Sequence, residues 1–436
     1  MRSCFLVLRI EEIIMTLTNI ISAIGNNSSI YPLIVRDCGI EAPSKIIIAR
    51  NENKKESKEL ANDATREKII DEYATSAIWL GGIPTVECIA DKFISKKGYN
   101  PNVNIKLFKE EQNKNAGNIF QGIEYNINKF KNIQEKDVQE AIADLVKVKN
   151  NKPLFEGLLT KKFFAATIIP TVIMGFILPK LNFALTAKLR KNKSEQKSSP
   201  QPQVPNLLSN KNINFTGNIT STIANLRTVD KMAISDGGLT VGRVSTSRNK
   251  DEGYVNAFRM IGSMILNFVT PAYIAKGLDK TSNKLFKINV NLDPKILSNK
   301  DFISAIKENK FELPKSNSAK DLFEFIDSKP TSLFSQMAQE MKKVSYLESG
   351  YRDPRKYVDI NDLANFRTEV VKFIETAKIS KNIEKFAQKA KWIKCANILA
   401  NVGISSFLLA GVLPKLQYEF NKLITGSYAD PGLRKQ

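Results

Sequence analysis

Glu87 and Asp91 are the carboxylates whose placement most invites chemistry. They stand one helical turn apart where an uncharged run over 73–86 ends. Acids at the depth of an apolar helix are costly to desolvate and, where retained, often bind a cation or relay a proton. The plainer alternative puts them at an interface, where the helix leaves the apolar layer. A glycine-rich piece over 237–244 is the second candidate. Its Gly237 and Gly242 have the spacing of a phosphate-binding loop, yet Arg243 stands where that loop needs Lys, and Val244 where it needs Ser or Thr for magnesium. A turn ahead of a short strand over 241–246 accounts for it better; another short strand is expected over 46–48.

The rest of the composition argues against catalysis. Histidine is absent, which removes Ser-His and Cys-His dyads, His-ligated zinc and the commonest general acid or base. Cys4, Cys38, Cys88 and Cys395 lie far apart with no Cys-x-x-Cys, so metal clusters and redox motifs are not expected. No cofactor is implied. The net charge of +21 favours anionic lipid or nucleic acid as a partner. The excess is scattered, with no Arg-rich helix and no alternation of basic and aromatic residues, and a Lys-, Asn- and Ile-rich composition gives the same number. Nucleic acid is therefore not expected.

The elements that would position any site are apolar. The stretches 163–179 and 395–414 carry no charge, and both end on Leu-Pro-Lys-Leu, with Pro179 and Lys180 in the first and Pro414 and Lys415 in the second. Their lengths approach the roughly 20 residues that cross a bilayer. The Pro and Gly residues within them are tolerated where neighbouring helices cover the freed backbone groups. Two shorter runs, near 73–94 with Pro84 and near 255–276 with Pro271, are marginal spans, re-entrant hairpins or buried helices.

Pieces of the first half recur in order in the second. Asp37 and Gly39 match Asp236 and Gly238; Arg50-Asn51 matches Arg248-Asn249; Pro84 matches Pro271; and Val103-Asn104 matches Val290-Asn291. The last two matches share one offset, since 271 − 84 and 290 − 103 both give 187. Duplication explains the order; compositional likeness does not. By that offset Glu87 and Asp91 fall on Ile274 and Leu278, so a symmetric ion site fails. Asp37 with Gly39, and Asp236 with Gly238, read as turn or helix-start chemistry in which the Gly takes a positive φ. Pro179 and Pro414 are expected to end or kink helices, with Lys180 and Lys415 meeting headgroup phosphate.

The soluble parts also read as helical. Val138, Ile142 and Leu145 line one face over 137–148. Ser318 and Asp321 form a capping box ahead of Leu322, Phe323 and Ile326.

These readings predict a mainly α, polytopic membrane protein of two duplicated halves with about four hydrophobic helices. An N-terminal segment covers 1–30, of which 1–14 are expected to precede the true start at Met15. The first repeat covers 31–190, with apolar helices near 73–94 and 163–187. A Lys/Ser/Pro-rich linker covers 191–228. The second repeat covers 229–436, with apolar helices near 255–276 and 395–414 and a helical insertion within about 295–390. The expected role is non-enzymatic and structural or interaction-based, in a bacterial inner membrane with anionic headgroups as partner. The alternatives are a small two-repeat transporter or channel, and a basic peripheral protein on anionic lipid.

Overall fold

A computed structural model describes residues 17–25, 34–108, 118–194, 228–288 and 291–434. The expected start at Met15, most of the linker and Val290 of the repeat match lie outside them. The described chain is mainly helical, with no strand. The strand expected over 46–48 is instead inside the helix Ala42–Lys54, and that expected over 241–246 is the last turn of the helix Thr228–Ser245, with Thr246 in the turn after it. The β-branched residues that suggested them lie on helical faces, where side-chain packing decides over propensity.

The residues fall into two compact units, neither of them a consecutive half of the chain. The first draws on the described parts of Met1–Ser28, Lys92–Leu158 and Tyr273–Val402. Its core is aliphatic and aromatic, and Phe302, Ile306, Leu322, Phe323, Ile326, Phe334 and Val370 are buried within it. The expected insertion supplies most of this core through Lys300–Lys307, Ala319–Ser328, Leu333–Glu340 and Ile360–Ile379. Each of these helices starts on a side chain that accepts a backbone N–H, namely Asn299, Ser318, Ser332 and Asp359. The Ser318 cap is the one read from sequence. Lys136–Asn150 buries Val138, Ile142 and Leu145 on one face, also as expected. One charge lies deep inside. Arg352 is fully buried, donates to Asp327 at 2.7 Å and to Asn126 at 3.0 Å, and sits over the rings of Phe130 and Phe323. Beside it the Tyr346 hydroxyl donates to the Ile326 carbonyl, and burial pushes its pKa up to about 12.

The second unit draws on Ser29–Asp91, Leu159–Ala272 and Gly403–Gln436, again in their described parts. Its polarity runs the other way. Large aliphatic and aromatic side chains face outward, including Ile169, Leu181 at 63% exposure, Ile261, Ile265, Phe407 and Leu423. Asn53, Asp63, Arg243, Glu252, Gln417 and Asn421 are buried.

Its helices contain six wide turns closed by i→i+5 hydrogen bonds: Val35–Glu41, Ile78–Gly82, Phe164–Ile168, Ile173–Ile177, Ile265–Val269 and Leu408–Val412. Each ends two residues before a proline, in order Pro43, Pro84, Pro170, Pro179, Pro271 and Pro414. A proline inside a helix lacks one donor, and its ring collides with the carbonyl four residues back. The wide turn removes the collision by letting the residue before the proline reach one position further. Thus the Ile83 N–H bonds to the Ile78 carbonyl, and Leu413 bonds likewise to Leu408. Pro84, Pro179, Pro271 and Pro414 therefore widen their helices and do not end them.

Three helices among the described residues are long and apolar enough to cross a membrane: Lys152–Lys191, Lys250–Phe286 and Ile383–Thr425. The run near 73–94 is not among them, because Glu87 and Asp91 interrupt its apolar stretch. In Thr228–Ser245, Gly238 and Gly242 serve close approach and not a turn. Added carbons would lie 2.8 Å from Thr171 and 2.7 to 2.9 Å from the Gly175 backbone, while Thr171 and Ser235 share a buried 2.6 Å hydrogen bond. Small residues four apart let helix backbones touch in this way.

Gly242→Ala must push Gly175 backbone aside and should lower stability by about 1–3 kcal/mol. Gly237→Ala meets nothing within 4 Å and should gain up to about 1 kcal/mol in the same helix. Melting of the two variants checks the contrast; equal melting temperatures would refute the contact.

Candidate functional site

The interior of the second unit is organised by Lys58–Ala77, a helix capped by Ser57. Asp63, Glu67 and Asp71 recur every four residues and so share one face. Each meets a cation carried by another segment. Arg190 Nε donates to Asp63 at 2.6 Å. Arg248 spans Glu67 with two bonds of 2.9 and 3.0 Å, and its guanidinium lies 4.0 Å over the Phe183 ring. Arg243 grips Asp71 at 2.6 and 2.7 Å and adds a 3.0 Å bond to the Thr75 hydroxyl. The last two are forked guanidinium–carboxylate contacts, the strongest geometry available to an ion pair, whereas Arg190 spends its other prong on the Leu433 carbonyl at 2.9 Å.

A neighbouring face carries a second chain of charges. Lys68 and Lys45 both reach Glu72, at 2.9 and 3.3 Å, and Lys45 also reaches Glu41 at 3.2 Å. Arg36 then joins Glu41 at 3.3 Å and Asp37 at 2.9 Å.

A cavity of about 190 Å³ opens beside these pairs. Its wall includes Lys68, Asp71, Glu72, Trp79, Asp236, Arg243, Arg259, Ser263 and Asn267. A smaller cavity of about 90 Å³ shares Lys68, Asp71, Arg243 and Arg259 with the first and is bounded by Asp430 and Pro431. The C-terminal turn holds that boundary. Asp430 accepts from Asn53 at 3.0 Å and from Tyr418 at 3.2 Å, and returns its own N–H to Asn53 at 2.8 Å. The same turn is anchored at Glu56, which accepts from the Ser427 hydroxyl at 2.7 Å and from the Tyr428 N–H at 3.2 Å. The Ser427 bond, with that of Tyr428 behind it, holds the Glu56 carboxyl below its ordinary pKa.

The residues singled out from sequence are partly gathered here. Asp37, Asp236 and Pro414 line the larger cavity, and Pro179 lines the smaller one. Glu87 and Asp91 do not; Glu87 is exposed, and Asp91 pairs with Lys162 at 2.6 Å. Gly39 lies in the first wide turn without a positive φ, and Lys180 and Lys415 are exposed. Arg243, Arg259, Asp71 and Glu72 were not anticipated. The available signal was the four-residue recurrence of acids just ahead of an apolar run. Among the described residues no group of three or more His, Cys, Asp or Glu is placed to hold a metal ion.

Comparison with known proteins adds no relative: no family model, no curated protein and no solved structure matches the chain.

Arg243→Gln leaves the Asp71 carboxylate desolvated and without its strongest partner, and should cost about 3–5 kcal/mol. Adding Asp71→Leu should recover most of that loss, as measured by thermal melting. If the double variant melts no higher than the single one, the pair is not the cause. The Glu56 anchor has a depressed folded pKa, so its contribution is complete above the unfolded Glu value of about 4.3 and is lost as pH falls through the lower folded value. The protection factor over 427–434, referred to the intrinsic exchange rate at each pH, should therefore be full at neutral pH, fall as the Glu56 carboxyl protonates, and be reduced at pH 7 in Glu56→Gln.

Proposed function

We propose that the chain is a multi-pass integral membrane protein whose second unit carries a small polar solute, with the Arg243–Arg259 cavity as its binding chamber. The observation that carries this reading is the inverted polarity of that unit. In water, a fold that exposes Ile169, Ile261, Ile265 and Phe407 while burying Asp63, Arg243 and Glu252 has its residues the wrong way round. In hydrocarbon the same arrangement is expected, because ionisable groups turn inward, pair, and mark solute pathways. Lys250–Phe286 sharpens the point, since only 6% of its most apolar window is buried within the protein. Lipid is the covering that such a helix fits.

The reading includes internal duplication. The wide turns of Ile78–Gly82 and Ile265–Val269 start at the offset that relates Pro84 to Pro271, and those of Ile173–Ile177 and Leu408–Val412 at the offset that relates Pro179 to Pro414. Two copies of one helical pattern, each with two proline-set wide turns at corresponding places, would produce this. The helix through Pro84 then counts as the fourth apolar element, shorter than the other three. Lys180 and Lys415, exposed just past their prolines, suit contact with anionic headgroups of a cell membrane.

A purely structural role is the second reading. It is favoured by the mutual pairing of most charges around the cavity, which a scaffold needs as much as a carrier does.

Extraction separates the membrane reading from a peripheral one. Carbonate at about pH 11 or high salt should leave the full chain in the membrane pellet. Its release into the supernatant would overturn the proposal.

A further inference from the structure

We infer that the Asp236 end of the larger cavity binds a small organic cation of the alkylammonium class, with the ammonium on the Asp236 carboxylate. The inference rests on the carrier reading above and names the class of its solute.

The charges on the cavity wall sort by what already holds them. Among the described residues that line it, Arg36 pairs with Asp37 and Glu41, Lys45 and Lys68 with Glu72, and Arg243 and Arg259 with Asp71. Asp236 is the exception. It is half-buried on Thr228–Ser245, and its carboxylate has neither an ion pair nor a hydrogen bond with a described residue. Only its backbone carbonyl is engaged, by the Thr240 hydroxyl at 2.7 Å. No charged group acts on the carboxyl, so the paired cluster leaves it alone. Helix geometry gives the reason. Asp236 and Arg243 are two turns apart on one face of their helix, a separation of about 10 Å along its axis. The facing helix keeps that distance. Asn256 donates to Ser247 at 2.9 Å, and the Thr240 hydroxyl meets the Met264 sulfur at 3.7 Å, which sets the antiparallel register of the two helices. Continued along both, the register puts Arg243 level with Arg259 and Met260, and Asp236 level with Asn267.

An unpaired carboxylate drawn away from water is unfavourable, and a cation that meets it offsets the penalty. An anion is repelled at this end, since no described cation stands beside Asp236 to counter the repulsion. The surroundings then choose among cations. Leu239, one turn after Asp236, is buried in an apolar cluster with Met174 and Met260, and Trp79 packs against that cluster. Met264 lines the same cavity. Such walls suit carbon, and an indole ring attracts an ammonium. Asn267 Nδ2 donates to the Ser263 hydroxyl at 3.3 Å, which leaves Asn267 Oδ1 to accept from the ammonium. A calcium or magnesium ion takes about six or more oxygen ligands, and one carboxylate with a hydroxyl and an amide beside it is a poor set for either. The volume agrees with a short alkyl chain: about 190 Å³ holds about six waters at about 30 Å³ each.

The test uses the full chain purified in detergent. Methylammonium, ethylammonium, butylammonium and tetramethylammonium chlorides are added singly at millimolar concentration and neutral pH, with sodium chloride and sodium propionate at matched ionic strength, and melting is followed. At least one alkylammonium should raise the melting temperature by about 3 °C, saturably. The two sodium salts should leave it unchanged. Asp236→Asn should abolish the shift, and Trp79→Leu should weaken binding by about threefold or more. Asp236→Asn is nearly isosteric, so it decides the matter even if Trp79→Leu fails to fold. The inference is overturned if no alkylammonium shifts melting, if the shift survives Asp236→Asn, or if sodium chloride alone produces it, which would mark a plain salt effect. A chain that resists carbonate extraction yet binds no alkylammonium refutes this inference alone. Binding without uptake of the same labelled cation into proteoliposomes upholds the site and refutes the carrier reading beneath it.

Discussion

The second unit depends on one constraint: the carboxylates of Lys58–Ala77 must meet guanidinium groups that other segments bring to them. Asp63, Glu67 and Asp71 are largely removed from solvent, and each is matched by Arg190, Arg248 or Arg243. Such pairs add little net stability over a well-packed apolar core, but leaving one half unmatched is expensive. Their effect is therefore on register. A slip of that helix by one residue would strand three carboxylates together. The Gly238–Gly242 face pressing on Thr171 and Gly175 allows the approach that puts Arg243 within reach of Asp71.

The two units differ in what they bury and what they expose. In the first, Phe302, Phe323, Phe334 and Leu363 lie inside, and a deeply buried cation, Arg352, is enclosed by Asp327, Asn126 and two aromatic rings. That is the arrangement water imposes. In the second, many large aliphatic residues are exposed, and paired charges and amides are buried beside a small apolar cluster of Met174, Leu239 and Met260. The same residue types are sorted in opposite directions within one chain, so a single hydrophobicity rule cannot describe both.

Much of the fold is legible in the residues alone. Periodicity over 137–148 and the Ser318 cap are local signals, and local signals survive into the structure. The prolines at 84, 179, 271 and 414 were visible, but not the wide turn ahead of each, and the helices at Pro179 and Pro414 continue where an end was one of the two expectations. The wide turn leaves no mark in the residues before it: Ile-Trp-Leu-Gly-Gly and Ile-Leu-Asn-Phe-Val have little in common. The glycine piece at 237–244 failed for a different reason. A glycine that frees the backbone and a glycine that clears space for a neighbour are the same letter, and only the partner, here Gly175, tells them apart. The charged cavity was hidden because acids four apart on a helix usually form a solvated face. Recognising Asp71 required knowing that Arg243, far along the chain, would lie against it.

The wide turns bear on how the second unit can move. In an ordinary helix an inserted residue behaves as a dislocation, able to creep along the rod by exchanging one backbone bond for the next. Here a pyrrolidine ring stands two positions beyond every such defect and blocks its passage. The rods are thus jointed at six permanent places and stiff between them, so any flexing of this bundle pivots where those joints were built.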